Sequence, residues 1–172
     1  YNDYNSKRKV NELVNFLKDG STLALVSDAG TPCISDPGYR LVNAAHSHSI
    51  NVVSIPGASS VNAALSISGL PTDNYFFQGF LPKKKGRKTK FNQLKDINCT
   101  IVIFESPKRI KKTLLDIHHY LGNRIVSVCK EITKLYEKVY VDKLEEIINV
   151  FSEINPKGEY VILIAKKEYE LK

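Results

Sequence analysis

Thr22-Leu23-Ala24-Leu25-Val26-Ser27-Asp28-Ala29-Gly30-Thr31-Pro32-Cys33-Ile34-Ser35-Asp36-Pro37 is the stretch from which the fold can be read. Its short apolar run, Thr22 to Ser27, reads as a buried strand, and Asp28 to Asp36 as a loop rich in Gly, Pro, Asp and Ser. Asp36-Pro37 is expected to cap a helix through Tyr39, Leu41, Val42 and Ala45. Upstream, Val10, Leu13, Val14 and Leu17 fall at helical spacing, with Gly20 as a stop, which predicts a helix over 7–18. Downstream the pattern repeats: strand Asn51 to Ile55, loop Pro56 to Ser60, and helix Val61 to Ser68 ending at Gly69. Alternation of strand, loop and helix signals a parallel sheet with helices packed on it.

Leu70 to Asn74 reads as a hinge, which divides the chain into α/β domains at 1–72 and 73–172. Beyond it, strands are expected at Tyr75–Phe80, Thr100–Glu105, Ile125–Lys130, Tyr136–Val141 and Glu159–Ala165. Helices are expected around 87–96, from Ser106-Pro107 to Tyr120, and from Asp142 through Phe151. No internal repeat is visible.

The composition is that of a globular chain: 172 residues, 42% apolar and 25% charged, with a formal net charge of +7. No apolar run approaches the ~18–20 residues of a membrane span, and the first residues lack the order of a secretory signal. Cys33, Cys99 and Cys129 are odd in number and far apart. That excludes a disulfide framework or a cysteine zinc site and fits a reducing cytoplasm. His46, His48 and the adjacent His118-His119 have no metal-ligand spacing, so no metal is expected. The charge is uneven. Residues 1–74 carry five basic groups against six acidic, whereas 75–172 carry twenty against twelve. Six of those basic groups lie between Lys83 and Lys90, a density that points to a polyanionic partner or to a solvated lysine-rich loop.

Ligands of open α/β sheets bind off the carboxyl ends of strands. Asp28-Ala29-Gly30-Thr31-Pro32 and Pro56-Gly57-Ala58-Ser59-Ser60 both sit at such positions. Neither is a P-loop or a dinucleotide-binding glycine motif. Together they suit a neutral or zwitterionic ligand held by backbone groups better than a triphosphate.

The run Val26 to Arg40 resembles the signature of the small-subunit (16S) ribosomal RNA methyltransferase I family, a branch of the tetrapyrrole methylase (class III) superfamily. Matching blocks follow in order: Ile55-Pro-Gly-Ala-Ser-Ser60, Ser68-Gly-Leu-Pro-Thr-Asp73 and Gly79-Phe-Leu-Pro-Lys83. Phe104-Glu-Ser-Pro-Lys-Arg109, Lys130-Glu-Ile-Thr-Lys134 and Gly158-Glu-Tyr-Val161 complete the set. The resemblance implies two α/β domains with a cleft between them for S-adenosyl-L-methionine, in a cytoplasmic homodimer. It also implies 2′-O-methylation of a cytidine ribose in the decoding region of small-subunit rRNA. Carried over by motif, Asp28, Gly30, Thr31, Pro32, Ile34, Ser59, Ser60, Phe104, Cys129, Gly158 and Glu159 are the expected cofactor contacts. The family's opening strand, glycine-containing loop and acidic Glu-Asp-Thr-Arg stretch have no match here, so the first domain is expected to be N-terminally truncated.

A neutral ribose hydroxyl is a poor nucleophile, so a base within hydrogen-bond reach would help its methylation. Glu105 and Glu131, each closing an expected strand, are the candidate catalytic residues; their alternative role is to pair with Lys108, Arg109 or Lys134. Lys83, Lys84, Lys85, Arg87, Lys88, Lys108, Arg109, Lys130 and Lys134 are the expected RNA contacts, anchoring phosphate without reading sequence. Tyr75, Phe76 and Phe77 offer stacking surfaces or strand core. Two further readings are a tetrapyrrole-pathway methylase and a non-catalytic, RNA-binding or dimerising remnant of the family.

Overall fold

A computed structural model describes residues 6–171, in two compact units, Tyr1–Ser59 and Ser60–Lys172. The first unit holds helices α1 (Ser6–Lys18) and α2 (Tyr39–Ser47). Val10, Val14 and Leu41 form its buried cluster, with Leu13, Leu23, Ala44 and Ile50 packed against it. The helical spacing read from Val10 to Leu17 therefore supplies the face that packs.

Two expected strands of this unit are not strands. Among the described residues neither 22–27 nor 51–55 pairs in a ladder. A strand is defined by hydrogen bonds to a neighbour, and neither run has one among the described residues. The first keeps a strand's alternation, with Leu23 and Leu25 half-buried, while Val26 is 82% exposed. In the second, Val53 is 69% and Ile55 79% exposed. The parallel sheet expected for the first half is thus absent among the described residues. The helix start also differs, since α2 begins behind Gly38, whose carbonyl accepts from the Leu41 and Val42 amides at 2.9 and 3.1 Å. Gly38 has φ +142°, and a Cβ there would stand 2.6 Å from Cys33 Sγ and 2.8 Å from Leu25 Cδ2. Only glycine fits that turn.

The second unit begins with α3 (Ser60–Ile67) and continues β1 (Tyr75–Phe80), α4 (Arg87–Lys95), β2 (Thr100–Glu105) and α5 (Ile110–Leu121). It ends with β3 (Ile125–Lys130), β4 (Lys138–Lys143), α6 (Leu144–Glu153) and β5 (Tyr160–Ile164). Five strands form here, the fourth two residues later than the expected Tyr136–Val141, and they make one sheet in the order β1-β2-β5-β3-β4. β1 and β2 are parallel; the other three pairings are antiparallel.

Strands β2 and β5 read as unbroken apolar runs because both faces of the sheet are covered. Ile101, Ile103, Ile162 and Ile164 point into one cluster with Phe91, Leu94, Leu114, Ile117 and Phe151 from α4, α5 and α6. Val102, Val161, Leu163 and Cys129 point into the other, against Val61, Ala64 and Leu65 of α3. Two expected caps are displaced. α5 starts at Ile110 after a turn in which the Arg109 and Ile110 amides donate to the Ser106 carbonyl. α6 is preceded by Lys143 rather than Asp142, and its first amides donate to the Arg124 carbonyl and Asn123 Oδ1. A cap supplied from about twenty residues upstream leaves no local signature.

Candidate functional site

In the first unit the two glycine-bearing loops are tied together: Thr31 Oγ1 donates to the Ala58 carbonyl at 2.9 Å. Ser27 Oγ braces the first loop, reaching the Ala29 and Gly30 carbonyls at 3.3 and 3.2 Å. At Gly30, φ is +73° and no atom lies within 4 Å of where a Cβ would stand. Asp28 and Ile34 are exposed, while Thr31, Pro32 and Ser59 are half-buried. The loop therefore offers open backbone flanked by one carboxylate and one apolar side chain. Ser60 opens α3 in the second unit.

In the second unit the register collects the other candidates at one end of the sheet. Phe80 pairs with Phe104, Glu105 with Tyr160, and Tyr160 with Lys130. Phe104 meets Phe77 and Phe80 edge-on, with ring centroids 5.0 and 5.6 Å apart. Phe80 is 56% exposed beside the lysine run and escaped the sequence reading. Phe77 packs into the apolar cluster, whereas Tyr75 and Phe76 are partly exposed.

The Glu105 side chain is fully enclosed, and each of its oxygens is engaged. Oε2 accepts from Thr113 Oγ1 at 2.6 Å, and Oε1 accepts from the Ser106 amide at 2.8 Å and faces Arg109 Nε at 3.3 Å. Arg87, expected as an RNA contact, is buried; it pairs with Asp116 at 2.7 Å and donates to Thr113 Oγ1 at 2.9 Å. Thr113 and Asp116 were not singled out from sequence. Their spacing on α5 places them on one helix face, but nothing local shows that a residue so far upstream as Arg87 reaches them.

At the same end, Glu131 and Glu159 form a second cluster. The Glu131 amide donates to the Glu159 carbonyl at 2.9 Å, and the Glu159 amide donates to Glu131 Oε1 at 2.8 Å. Lys134 Nζ bridges Glu131 at 3.0 Å and Glu159 at 2.8 Å. The Glu159 amide first, then Lys134, hold the Glu131 carboxyl below the usual range, and the two carboxylates hold the Lys134 ammonium above its own. Cys129, near the end of β3, is wholly buried in the apolar cluster packed on α3, and burial pushes its thiol pKa up. Lys83, Lys84, Lys85, Lys88 and Lys108 are exposed, and Lys130 is half-buried. Among the described residues no three His, Cys, Asp or Glu side chains gather as a metal site, and no helix is long and apolar enough to cross a membrane.

Solved structures share this arrangement. A diphthine synthase superimposes over 99% of this chain and 69% of its own, with a TM-score of 0.74 at 15% identity. The methyltransferase CobJ does so over 95% and 72%, at 0.69 and 14%. At such identities the likeness defines the fold alone, an α/β methylase fold. The sequence pattern of the Tetrapyrrole (Corrin/Porphyrin) Methylases matches residues 3–148. Ribosomal RNA small subunit methyltransferase I of Thermotoga maritima is 41% identical over 98% of this chain and 76% of its own length. Its counterparts in Halalkalibacterium halodurans and Vibrio cholerae are 44% and 43% identical over 95% and 94% of this chain. The chain spans 57% and 58% of those two. The chain belongs to the tetrapyrrole methylase family and, within it, to the ribosomal RNA small subunit methyltransferase I group.

Proposed function

We propose that this chain serves S-adenosyl-L-methionine-dependent methylation of small-subunit rRNA, at the ribose 2′-hydroxyl of a cytidine in the decoding region. The observation that carries this reading is the 41% identity, over 168 residues, to a protein named for small-subunit rRNA methylation. Supporting it is the exposed run Lys83-Lys84-Lys85 beside the exposed ring of Phe80, since phosphate attraction and base stacking are how unpaired RNA is held.

The first-unit loop fits the cofactor. Open backbone at Gly30 admits close approach, Asp28 presents a carboxylate to a cationic group, and Ile34 presents an apolar surface. When bound, S-adenosyl-L-methionine supplies an electrophilic methyl group on a sulfonium. Asp28, Gly30, Pro32 and Ile34 would hold it, with Thr31 fixing the loop through Ala58 rather than spending its hydroxyl on ligand. Ser59, Ser60, Phe104, Gly158 and Glu159 are assigned as further cofactor contacts on the motif match, whereas Cys129, expected with them, is wholly buried in the apolar cluster and is not among them.

An in-line methyl transfer gains most from alignment, which is worth effective molarities of about 10⁵–10⁸ M in well-oriented systems. That weight on positioning suits the carboxylates present. Glu105 is spent on Thr113, Ser106 and Arg109, and Glu131 is held as its anion, a weak base. Of the two, Glu131 is the one with solvent access, so it is the residue assigned to receive the hydroxyl proton. Residues 1–72 are assigned as a cofactor-binding domain and 73–172 as a domain that carries the basic RNA-facing loop, in a cytoplasmic homodimer.

Calorimetry tests the cofactor assignment. S-adenosyl-L-methionine should bind the protein, and Gly30→Val, which fills the open backbone, should abolish binding. Equal affinity in the variant would overturn the assignment.

A further inference from the structure

Three lysines in a row are worth little to a partner if the loop carrying them is slack, because ordering flexible side chains opposes binding. The stretch Lys83–Gly86 is instead fastened at both ends, by two arginine side chains on the near side and by a backbone amide on the far side. Arg109 Nη2 donates to the Leu81 carbonyl at 2.7 Å, and Arg87 Nη1 to the Pro82 carbonyl at 3.2 Å. These are the two residues immediately before Lys83. On the far side, the Arg87 amide donates to the Lys84 carbonyl at 3.1 Å.

Both guanidiniums are in turn fixed from within. Arg109 faces the enclosed carboxylate of Glu105, and Arg87 is held by Asp116 and by Thr113. Thr113 links the two arms, donating to Glu105 and accepting from Arg87. The buried Glu105 at the end of β2 thus contacts Arg109 directly and reaches Arg87 through Thr113, while Asp116 holds Arg87 by an ion pair of its own. The arginine fork suits this work, since one guanidinium satisfies a side chain and a carbonyl at once.

We infer that Glu105, Thr113, Arg87 and Arg109 are positioning residues that hold Lys83, Lys84 and Lys85 in a fixed array for a phosphate backbone. Arg87 and Arg109 do this in place of contacting RNA themselves. The inference rests on the proposed rRNA substrate for its ligand, while the fastening of the loop stands apart from it.

Charge and position give opposite signs for one substitution. Glu105→Gln removes a negative charge, so charge alone predicts equal or tighter RNA binding. The positioning role predicts binding about tenfold weaker. The probe is a labelled RNA hairpin of small-subunit decoding-region sequence, titrated across a salt series. For Glu105→Gln and the milder Thr113→Val, affinity should fall at every salt concentration with an unchanged slope. Replacing all three lysines should lower the slope by about 2–3, at 0.7–0.9 per phosphate contact. Amide hydrogen exchange of the RNA-free variants should quicken across residues 83–87 and not across β2 or β5. Unchanged affinity with unchanged exchange in both variants overturns the positioning role. A reduced slope for Arg109→Gln overturns the claim that Arg109 makes no phosphate contact. If the unaltered chain binds no RNA, the rRNA reading fails, and exchange alone then decides whether the loop is fastened as described.

Discussion

Glu131 lies directly over Gly158: a Cβ built on the glycine would stand 2.5 Å from Glu131 Cδ. The same carboxylate accepts from the Glu159 amide at 2.8 Å, so the turn after β3 is pinned to the approach of β5. Gly158 has φ +84°, a second reason for its lack of a side chain. Gly158→Ala should therefore destabilise the fold by about 1–3 kcal/mol. Urea unfolding checks this, and an unchanged midpoint would show that the turn can shift without loss.

Acid should loosen this same turn. Glu131 titrates below its ordinary value in the folded chain, so its contribution is complete above the unfolded value of about 4.3. It is lost as pH falls through the lower, folded value. Lys134 has the opposite sign: its raised value gives stability that is complete below the unfolded pKa and lost as pH rises through the folded one. Thermal melts of the unaltered chain between pH 6 and 3 should fall more steeply than those of Glu131→Gln. Parallel curves would contradict the pairing.

Not every ion pair should matter. Arg87 and Asp116 are largely enclosed, and Arg87→Gln leaves Asp116 and Thr113 short of partners, at a cost on the order of 3 kcal/mol. Arg8 and Glu12 pair across one turn of an exposed helix face, where solvent screens the charges. Glu12→Gln should leave the urea midpoint unchanged, while Arg87→Gln lowers it clearly.

The thiols offer a check on the core. Cys129 is wholly buried, and burial raises its pKa. Iodoacetamide at neutral pH should modify it only at the rate of unfolding. Prompt labelling in the folded chain would mean that the sheet is open at β3.

How much of this was legible in the sequence depends on where each residue finds its partner. Thr100 to Glu105 and Glu159 to Ala165 announce strands covered on both faces, and they are the sheet's centre. Thr22 to Ser27 has the same local character, yet it forms no ladder, because pairing depends on a neighbour and not on the strand itself. The candidate site divides in the same way. The motif blocks marked Glu105, Arg109, Glu131 and Glu159 individually, and their register neighbours bring them to one end of the sheet. The hydrogen bonds that assign their work run from Thr113 to Glu105 and from Arg87 to Asp116, and no spacing rule encodes them. Phe80 was overlooked because an apolar residue ending a strand reads as core, and only its 56% exposure sets it apart.

Methyl transfer to small-subunit rRNA is tested most directly by following the methyl group. Small ribosomal subunits lacking the modification would be incubated with methyl-labelled S-adenosyl-L-methionine and the protein. Label in a nuclease-resistant 2′-O-methylcytidine of the decoding region, abolished by Gly30→Val, is the predicted result. No label in rRNA, with transfer instead to a tetrapyrrole such as a uroporphyrinogen, would contradict the account.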